Sequence, residues 1–435
     1  MSDPFLLYDA TAHAPMDEHI VVGVDIGTTK VCAVVAAKNE LGQINILGMG
    51  MAASDGLNRG VVVNIDRTVN AVRKAIEEAE RAAGVEVHNV IVGIAGDHVQ
   101  SFQSRGVVTI RSGEITQQDV QRLLEDTMQV SLPADREILH VIPQEFIVDG
   151  QDGVADPVGM SGVRMEANVH IITGLISAAK NIYRCIEKAG FQVADIVLEP
   201  LASSFAVLHD DEKEVGVALI DIGGGTTDIA VFEDHTIRHT AVIAVAGNKV
   251  TDDIGKGMSV MRDQAEQLKR QFGTALVDFA DPNEQIEIPG IGGRPEKTIG
   301  RDALAQVIQP RMEEILEIAS IEIKQRSEYG RHLGVGCVLT GGGSLIPGTA
   351  ELAAEVLGME ARIGRPMGLS GGLVEEVSDP KFSTGVGLVL YGMRPEIIGG
   401  STLSEDVRAE SNDHNEGQTL MDRLAARMKS WFDEL

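Results

Sequence analysis

Apolar, β-branched residues dominate two stretches of the chain, 19–37 and 215–232. A short turn interrupts each one. Gly27, Thr28, Thr29 and Lys30 form the first turn, and Gly223, Gly224, Gly225 and Thr226 the second. Two β-prone runs around a glycine turn predict a strand–turn–strand hairpin in each place. Elsewhere the periodicity is helical: over 66–83, stopped by Gly84, and over 178–189, stopped by Gly190. Mixed strand and helix patterns fill 85–168. A third apolar run, from Cys337 to Thr340, enters the glycines Gly341, Gly342 and Gly343 and then Ser344, and 349–357 follows as a predicted helix.

The two hairpins share a sequence. Asp25, Ile26, Gly27, Thr28 and Thr29 match Asp221, Ile222, Gly223, Thr226 and Thr227, with two extra glycines in the second copy. An internal repeat predicts two related domains, and 435 residues exceed what one hydrophobic core serves. Residues 395–417 carry six acids against one base, Arg408, and few large apolar side chains. Such a composition predicts a flexible acidic linker. Residues 1–18 are polar, lack a basic segment ahead of an apolar one, and read as a flexible lead-in rather than a secretory signal.

Helical periodicity resumes over 418–435. At about 100° per residue, Leu420, Met421, Leu424, Met428, Trp431, Phe432 and Leu435 fall in one arc of roughly 120°. Arg427 lies at its edge. This helix follows a long linker and holds the chain's only tryptophan, which favours a membrane interface over a docked core helix. A groove on a partner protein is the alternative. One such helix binds lipid reversibly, and many linked copies bind durably.

Composition narrows the function. The apolar share, 43%, and charged share, 23%, are those of a globular protein, and no unbroken apolar run reaches the ~18 residues needed to span a bilayer. The net charge of −28 argues against nucleic acid as a partner. Cys32, Cys185 and Cys337 are far apart and lack metal-ligand spacing, so core packing in a reducing compartment accounts for them. A chain this acidic can bind a polyanion only with local amides, a bound cation and a few chosen side chains.

The two turns have that chemistry. Glycine lets backbone N–H groups approach a phosphate, threonine hydroxyls add donors, and Lys30 adds a cation. Asp25 and Asp221, at the strand ends, suit Mg²⁺ held through water. A tight turn with no ligand is the plain alternative for either hairpin taken alone.

The motifs together resemble the actin, sugar-kinase and DnaK superfamily. Residues 25–30 resemble its first phosphate motif, 221–228 the second and 339–344 the adenosine motif. Residues 198–200 and 383–388 resemble its two connecting segments. Within it, 22–30, 93–96, 198–204 and 339–344, with the linker and terminal helix, resemble the FtsA family of bacterial division proteins.

That resemblance implies an α/β, actin-like fold of duplicated ribonuclease H-like domains. Subdomain 1A would comprise 19–84, 169–214 and 375–394, with 1C at 85–168. Subdomain 2A would comprise 215–249 and 326–374, with 2B at 250–325. ATP and Mg²⁺ would be the cofactors, with Thr227 in the second phosphate turn. Gly247 and Asn248 would face ribose and phosphates. Glu266 and Lys269 would contact adenosine, a solvated ion pair being the alternative. Glu199 would lie where relatives orient the attacking water, although binding is expected and turnover is not.

The resemblance also implies an adaptor that polymerises with itself and sits on anionic lipid at the cytoplasmic face of the inner membrane, at the division site. It would bind the C-terminal peptide of FtsZ on 2B and help recruit later division proteins. Arg294, Lys297, Arg301 and Arg311 are candidates to meet that peptide. A sugar-type kinase is the competing function, but no substrate-cleft base is identifiable and a kinase has no use for the tail. A pilus-assembly ATP-binding protein of similar fold would generally lack the tail.

Overall fold

The computed structural model describes residues 20–39, 41–288, 295–326 and 333–394. The expected lead-in, the acidic linker, the terminal amphipathic helix with its membrane-facing residues, and Arg294 lie outside the described residues.

Strands β1 (Ile20–Ile26), β2 (Lys30–Lys38) and β3 (Ile44–Ala53) form an antiparallel meander. A small hairpin of β4 (Leu57–Asn58) and β5 (Val61–Val62) leads to α1 (Ile65–Ala83). Asn64 caps this helix by accepting the Arg67 N–H, and Gly84 ends it in the left-handed conformation, as the breaker at 84 predicts. Val69, Val72, Ile76 and Ala79 bury one helical stripe in the core beneath β2 and β3. β6 (Asn89–Ile94) then pairs parallel with β1.

The chain next leaves this sheet. β7 (Gln100–Thr109), α2 (Gln117–Thr127), β8 (Arg136–Val148), β9 (Gln151–Val154) and β10 (Arg164–Leu175) build a separate sheet in the order β7-β10-β8-β9. Its own core includes Leu123, Leu124, Phe146 and Met165. The expected inserted unit, 85–168, is therefore displaced. β6 belongs to the first sheet, and β10 continues to Leu175.

α3 (Ile176–Ala189) ends at Gly190, and β11 (Gln192–Leu198) rejoins the first sheet beside β6. α4 (Glu199–Val207) and α5 (Asp210–Val215) cross to the second half. There β12 (Val217–Ile222), β13 (Thr227–Glu233) and β14 (Thr236–Ile243) form another antiparallel meander. α6 (Gly247–Met258), α7 (Arg262–Phe272), the hairpin β15 (Gln285–Ile288) and β16 (Lys297–Gly300), and α8 (Arg301–Ile321) follow. β17 (Gly336–Thr340) returns parallel to β12, α9 (Thr349–Leu357) follows, and β18 (Ala361–Ile363) pairs parallel with β17. β19 (Gly371–Gly372) joins the first sheet beside β3, and α10 (Ser383–Gly392) packs on β1 and α4. The return to the first half thus begins slightly before residue 375.

The duplication extends well beyond the turns. One sheet runs β11-β6-β1-β2-β3 and the other β18-β17-β12-β13-β14. In both, a central strand has an antiparallel meander on one side and two parallel strands on the other. Register corrects one detail. Ile26 pairs with Val31 and Ile222 with Thr227, so both turns contain four residues. The second copy has no inserted glycines: Gly224 and Gly225 stand where the first copy has Thr28 and Thr29, and Thr226 stands where it has Lys30.

Candidate functional site

The strand ends bring the two turns face to face. In the second turn the Gly223 N–H donates to the Thr226 carbonyl at 2.9 Å. A Cβ on Gly224 would run into Thr29, and one on Gly225 into Thr28. Only glycine permits that approach.

Behind the turns lies a buried acidic cluster. Lys30 Nζ pairs with Asp25 Oδ2 at 2.8 Å. Asp221 accepts from Ser203 Oγ at 2.8 Å and from Thr384 Oγ1 at 3.4 Å. Asp228, opposite Asp221 in the β12–β13 ladder, accepts from Thr226 Oγ1 at 3.0 Å. Its other oxygen, Oδ1, is buried with no partner. Glu199 opens α4 and packs where a Cβ on Gly93 would meet its side chain at 3.0 Å.

Burial, with the charges of Asp25, Asp228 and Asp221 added, pushes the Glu199 carboxyl well above its ordinary value. Asp228 is raised the same way, by burial and then by Asp221. Asp221 is pushed up to about 6, mainly by burial, although the Ser203 hydroxyl opposes the shift. For Lys30, burial favours the neutral form, but Asp25, with Cys32 and Asp221 added, outweighs it and the ammonium is held above its usual range. One cation thus faces four carboxyl groups, an excess that a divalent cation or protons would offset. The donors are hard oxygens and one is unpartnered, which fits Mg²⁺. Among the described residues, no three acidic, His or Cys side chains converge closely enough to ligate a metal directly.

The amides of Gly247 and Asn248 are already in use. They donate to the carbonyls of Gly223 and Gly224 at 3.1 and 2.8 Å, and so hold the second turn in place. Lys269 lies behind them, partly buried. Its Nζ reaches Glu266 Oε2 at 2.7 Å, Thr251 Oγ1 at 2.8 Å and the Gly247 carbonyl at 3.1 Å. Glu266 also accepts from Thr251 Oγ1 at 2.6 Å. The pair expected on one face of a helix is therefore a tie between α7 and the start of α6, not a solvated surface pair.

The third glycine run closes over the end of β12. Gly341 is left-handed, with φ 79°, and a Cβ there would strike Asp221. Ser344 Oγ donates to the Gly341 carbonyl at 2.7 Å, so this hydroxyl fastens the run. Gly342 has more room: a Cβ there would meet only Lys381, at 3.9 Å.

The candidate peptide-binding bases are locally engaged. Lys297 Nζ donates to the Met258 carbonyl at 3.1 Å. Arg301 pairs with Glu284 at 2.8 Å and donates to the Phe272 carbonyl at 3.0 Å. Arg311 pairs with Asp253 and Glu314. Sequence reading missed Ser203, Thr384 and Asp228. For Ser203 and Thr384 the available signal was a hydroxyl inside an apolar helix, which must find a partner when buried.

Two duplicated sheets, each delivering a turn to one acidic cleft, define an actin-like protein. Solved structures share that fold. The chain matches a PilM–PilN type IV pilus biogenesis complex with a TM-score of 0.63 at 15% identity, covering 86% of this chain and 99% of that one. It matches MreB5 of Spiroplasma citri bound to ADP with a TM-score of 0.52 at 16% identity, covering 89% and 98%. The family profile for cell division protein FtsA matches residues 218–387, and that for the SHS2 domain inserted in FtsA matches 96–173, the inserted sheet. Cell division protein FtsA of Pseudomonas aeruginosa is 43% identical over 412 residues, 95% of this chain and 97% of the relative. The chain belongs to the FtsA family, and its role is in cell division.

Proposed function

We propose that this chain is an ATP- and Mg²⁺-binding adaptor of the division machinery. The acidic cleft carries the reading: two glycine turns meet over Asp25 and Asp221, and Asp228 keeps an oxygen unpartnered. Amides of the turns would cradle the phosphates and Lys30 would meet their charge. Mg²⁺, when bound, supplies the positive charge that the four carboxyl groups lack. Glu266 and Lys269 would border the base, behind the clamp that Gly247 and Asn248 make. The MreB5 relative in fold was solved with ADP, which agrees with this use of the cleft. Burial and the charges of Asp25, Asp228 and Asp221 raise the Glu199 carboxyl, which disfavours the carboxylate form that a water-activating base needs, and the reading is binding with slow or no turnover. Calorimetric titration tests this: MgATP should bind, and removing Mg²⁺ with EDTA should weaken binding strongly. Turnover that depends on an added sugar would instead favour the kinase reading.

The first sheet with α10 corresponds in this reading to subdomain 1A, the inserted sheet to 1C, the second sheet to 2A and the α6–α8 region to 2B. Copies of the body would assemble end to end. The 418–435 helix would hold the assembly on anionic lipid at the cytoplasmic face of the membrane, with the FtsZ C-terminal peptide docked on 2B and later division proteins recruited to it. Arg301 and Arg311 would have to exchange Glu284, Asp253 and Glu314 for the carboxylates of the peptide. Co-sedimentation with anionic liposomes tests the anchor. The full chain should pellet and a chain ending at Gly417 should not; equal pelleting would refute the anchor.

A further inference from the structure

The inserted sheet touches the strand end that leads into Glu199. His140, on β8, is buried, and its Nε2 accepts the Leu198 N–H at 3.0 Å. Leu198 ends β11 and is the residue from which α4 starts, and it has no side-chain cap of its own. The next residue is Glu199. An accepting Nε2 requires the imidazole proton on Nδ1, so this histidine is neutral in the bonded state. The base of the inserted sheet is braced from within. Arg136, the first residue of β8, donates to the carbonyls of His98 and Thr173 at 2.8 and 3.0 Å. Thr173 Oγ1 donates to the Gln100 carbonyl at 3.2 Å. The inserted sheet is thus internally braced beside His140, and the Leu198 N–H bond joins it to the first half.

We propose that the inserted sheet is a working part of the cleft, with His140 as a positioning residue that fixes the backbone from which Glu199 projects. The proposal rests on the nucleotide reading above. Glu199 sits between Gly93 and the acidic cluster, where a small backbone shift at Leu198 changes its distance from Asp25, Asp221 and Asp228. Without the imidazole, a buried N–H at the strand-to-helix switch loses its acceptor, and the switch is free to move. The linkage is reciprocal: a ligand that draws Glu199 into place also tightens the Leu198–His140 bond.

The test uses the full chain and three variants. His140→Phe removes the acceptor, and His140→Gln keeps one at similar reach. Gln144→Ala, on the same strand, removes the contacts to the Ile237 and Arg238 carbonyls of β14 and leaves Leu198 alone. MgATP affinity is read by calorimetry and the Leu198 amide by hydrogen exchange. In the unaltered chain MgATP should slow Leu198 exchange by about fivefold or more. His140→Phe should weaken MgATP about tenfold. His140→Gln should bind close to the unaltered chain, and Gln144→Ala should bind unchanged. Leu198 exchange indifferent to MgATP overturns the proposal without needing any variant to fold. Equal weakening in the phenylalanine and glutamine variants, or in Gln144→Ala, also overturns it. Normal MgATP binding in every variant sinks the role of His140 alone. Failure of the unaltered chain to bind MgATP sinks the nucleotide reading and this proposal with it.

Discussion

The first and second turns share a backbone and differ in charge. Each has four residues between the last paired residues of its hairpin, and each carries an aspartate at the same strand position. Where the first copy has Lys30, the second has Thr226. Where Asp25 faces Cys32 across the ladder, Asp221 faces Asp228. The first half therefore balances its own carboxylate with a 2.8 Å ion pair. The second half packs two carboxyl groups together, hydrogen-bonded by hydroxyls, and the cation near Asp221 is Lys30 of the first half. Duplication preserved the sheet while the turns diverged, so the site is complete only when both halves meet.

The most damaging way to break this contrast is Lys30→Thr, which gives the first turn the residue of the second. Asp25 would be left buried without its cation, a loss of about 3–5 kcal/mol for a buried pair. MgATP affinity should fall by more than any other change discussed here, and denaturant unfolding should shift to lower concentration. Unchanged binding in this variant would show that the cation is dispensable and the contrast incidental.

Asp221→Asn breaks the other half. The ordinary value for its carboxyl is 3.8, and in the folded chain it is raised to about 6. Between those values the folded chain holds a proton that the unfolded chain has released. Without metal or nucleotide, stability therefore falls as pH rises from about 4 through about 6, and the loss is complete above that. The displacement corresponds to roughly 3 kcal/mol, which the asparagine variant should not lose. Urea unfolding of both chains in EDTA from pH 4 to 7.5 checks this. Parallel curves would refute the strained carboxylate. The variant should also bind Mg²⁺ and nucleotide more weakly, since the same charge would attract them.

Much of this contrast could be read in advance, and the rest was hidden for physical reasons. The helix at 66–83 and the two turns are local: periodicity and glycine define them without tertiary context. A short apolar run such as Asn89–Ile94 does not by itself show which sheet it joins, so the edge of the inserted unit is not legible there. Matching the Thr-Thr pairs suggested extra glycines, but hydrogen-bonded register, not letter identity, sets which residues are equivalent. The spacing of Glu266 and Lys269 is the same for a solvated pair and a partly buried tie, and only the approach of Thr251 and Gly247 decides between them.

The smallest change sharpens the comparison most narrowly. Ser203 and Thr384 come from α4 and α10, both attached to the first half, yet both donate to Asp221 of the second. Their hydroxyls lie 3.1 Å apart, so either one can partly cover for the other. Ser203→Ala should therefore cost only about 1–2 kcal/mol, less than leaving a charge wholly unpaired. The double variant with Thr384→Val should cost more than the sum of the two single changes, because the second substitution removes the remaining donor. It should also push the Asp221 carboxyl higher, moving the pH-dependent loss of stability upward. Strict additivity in a double-mutant cycle, with no movement of the pH transition, would mean that Asp221 is held by burial alone and that the hydroxyls only fill space.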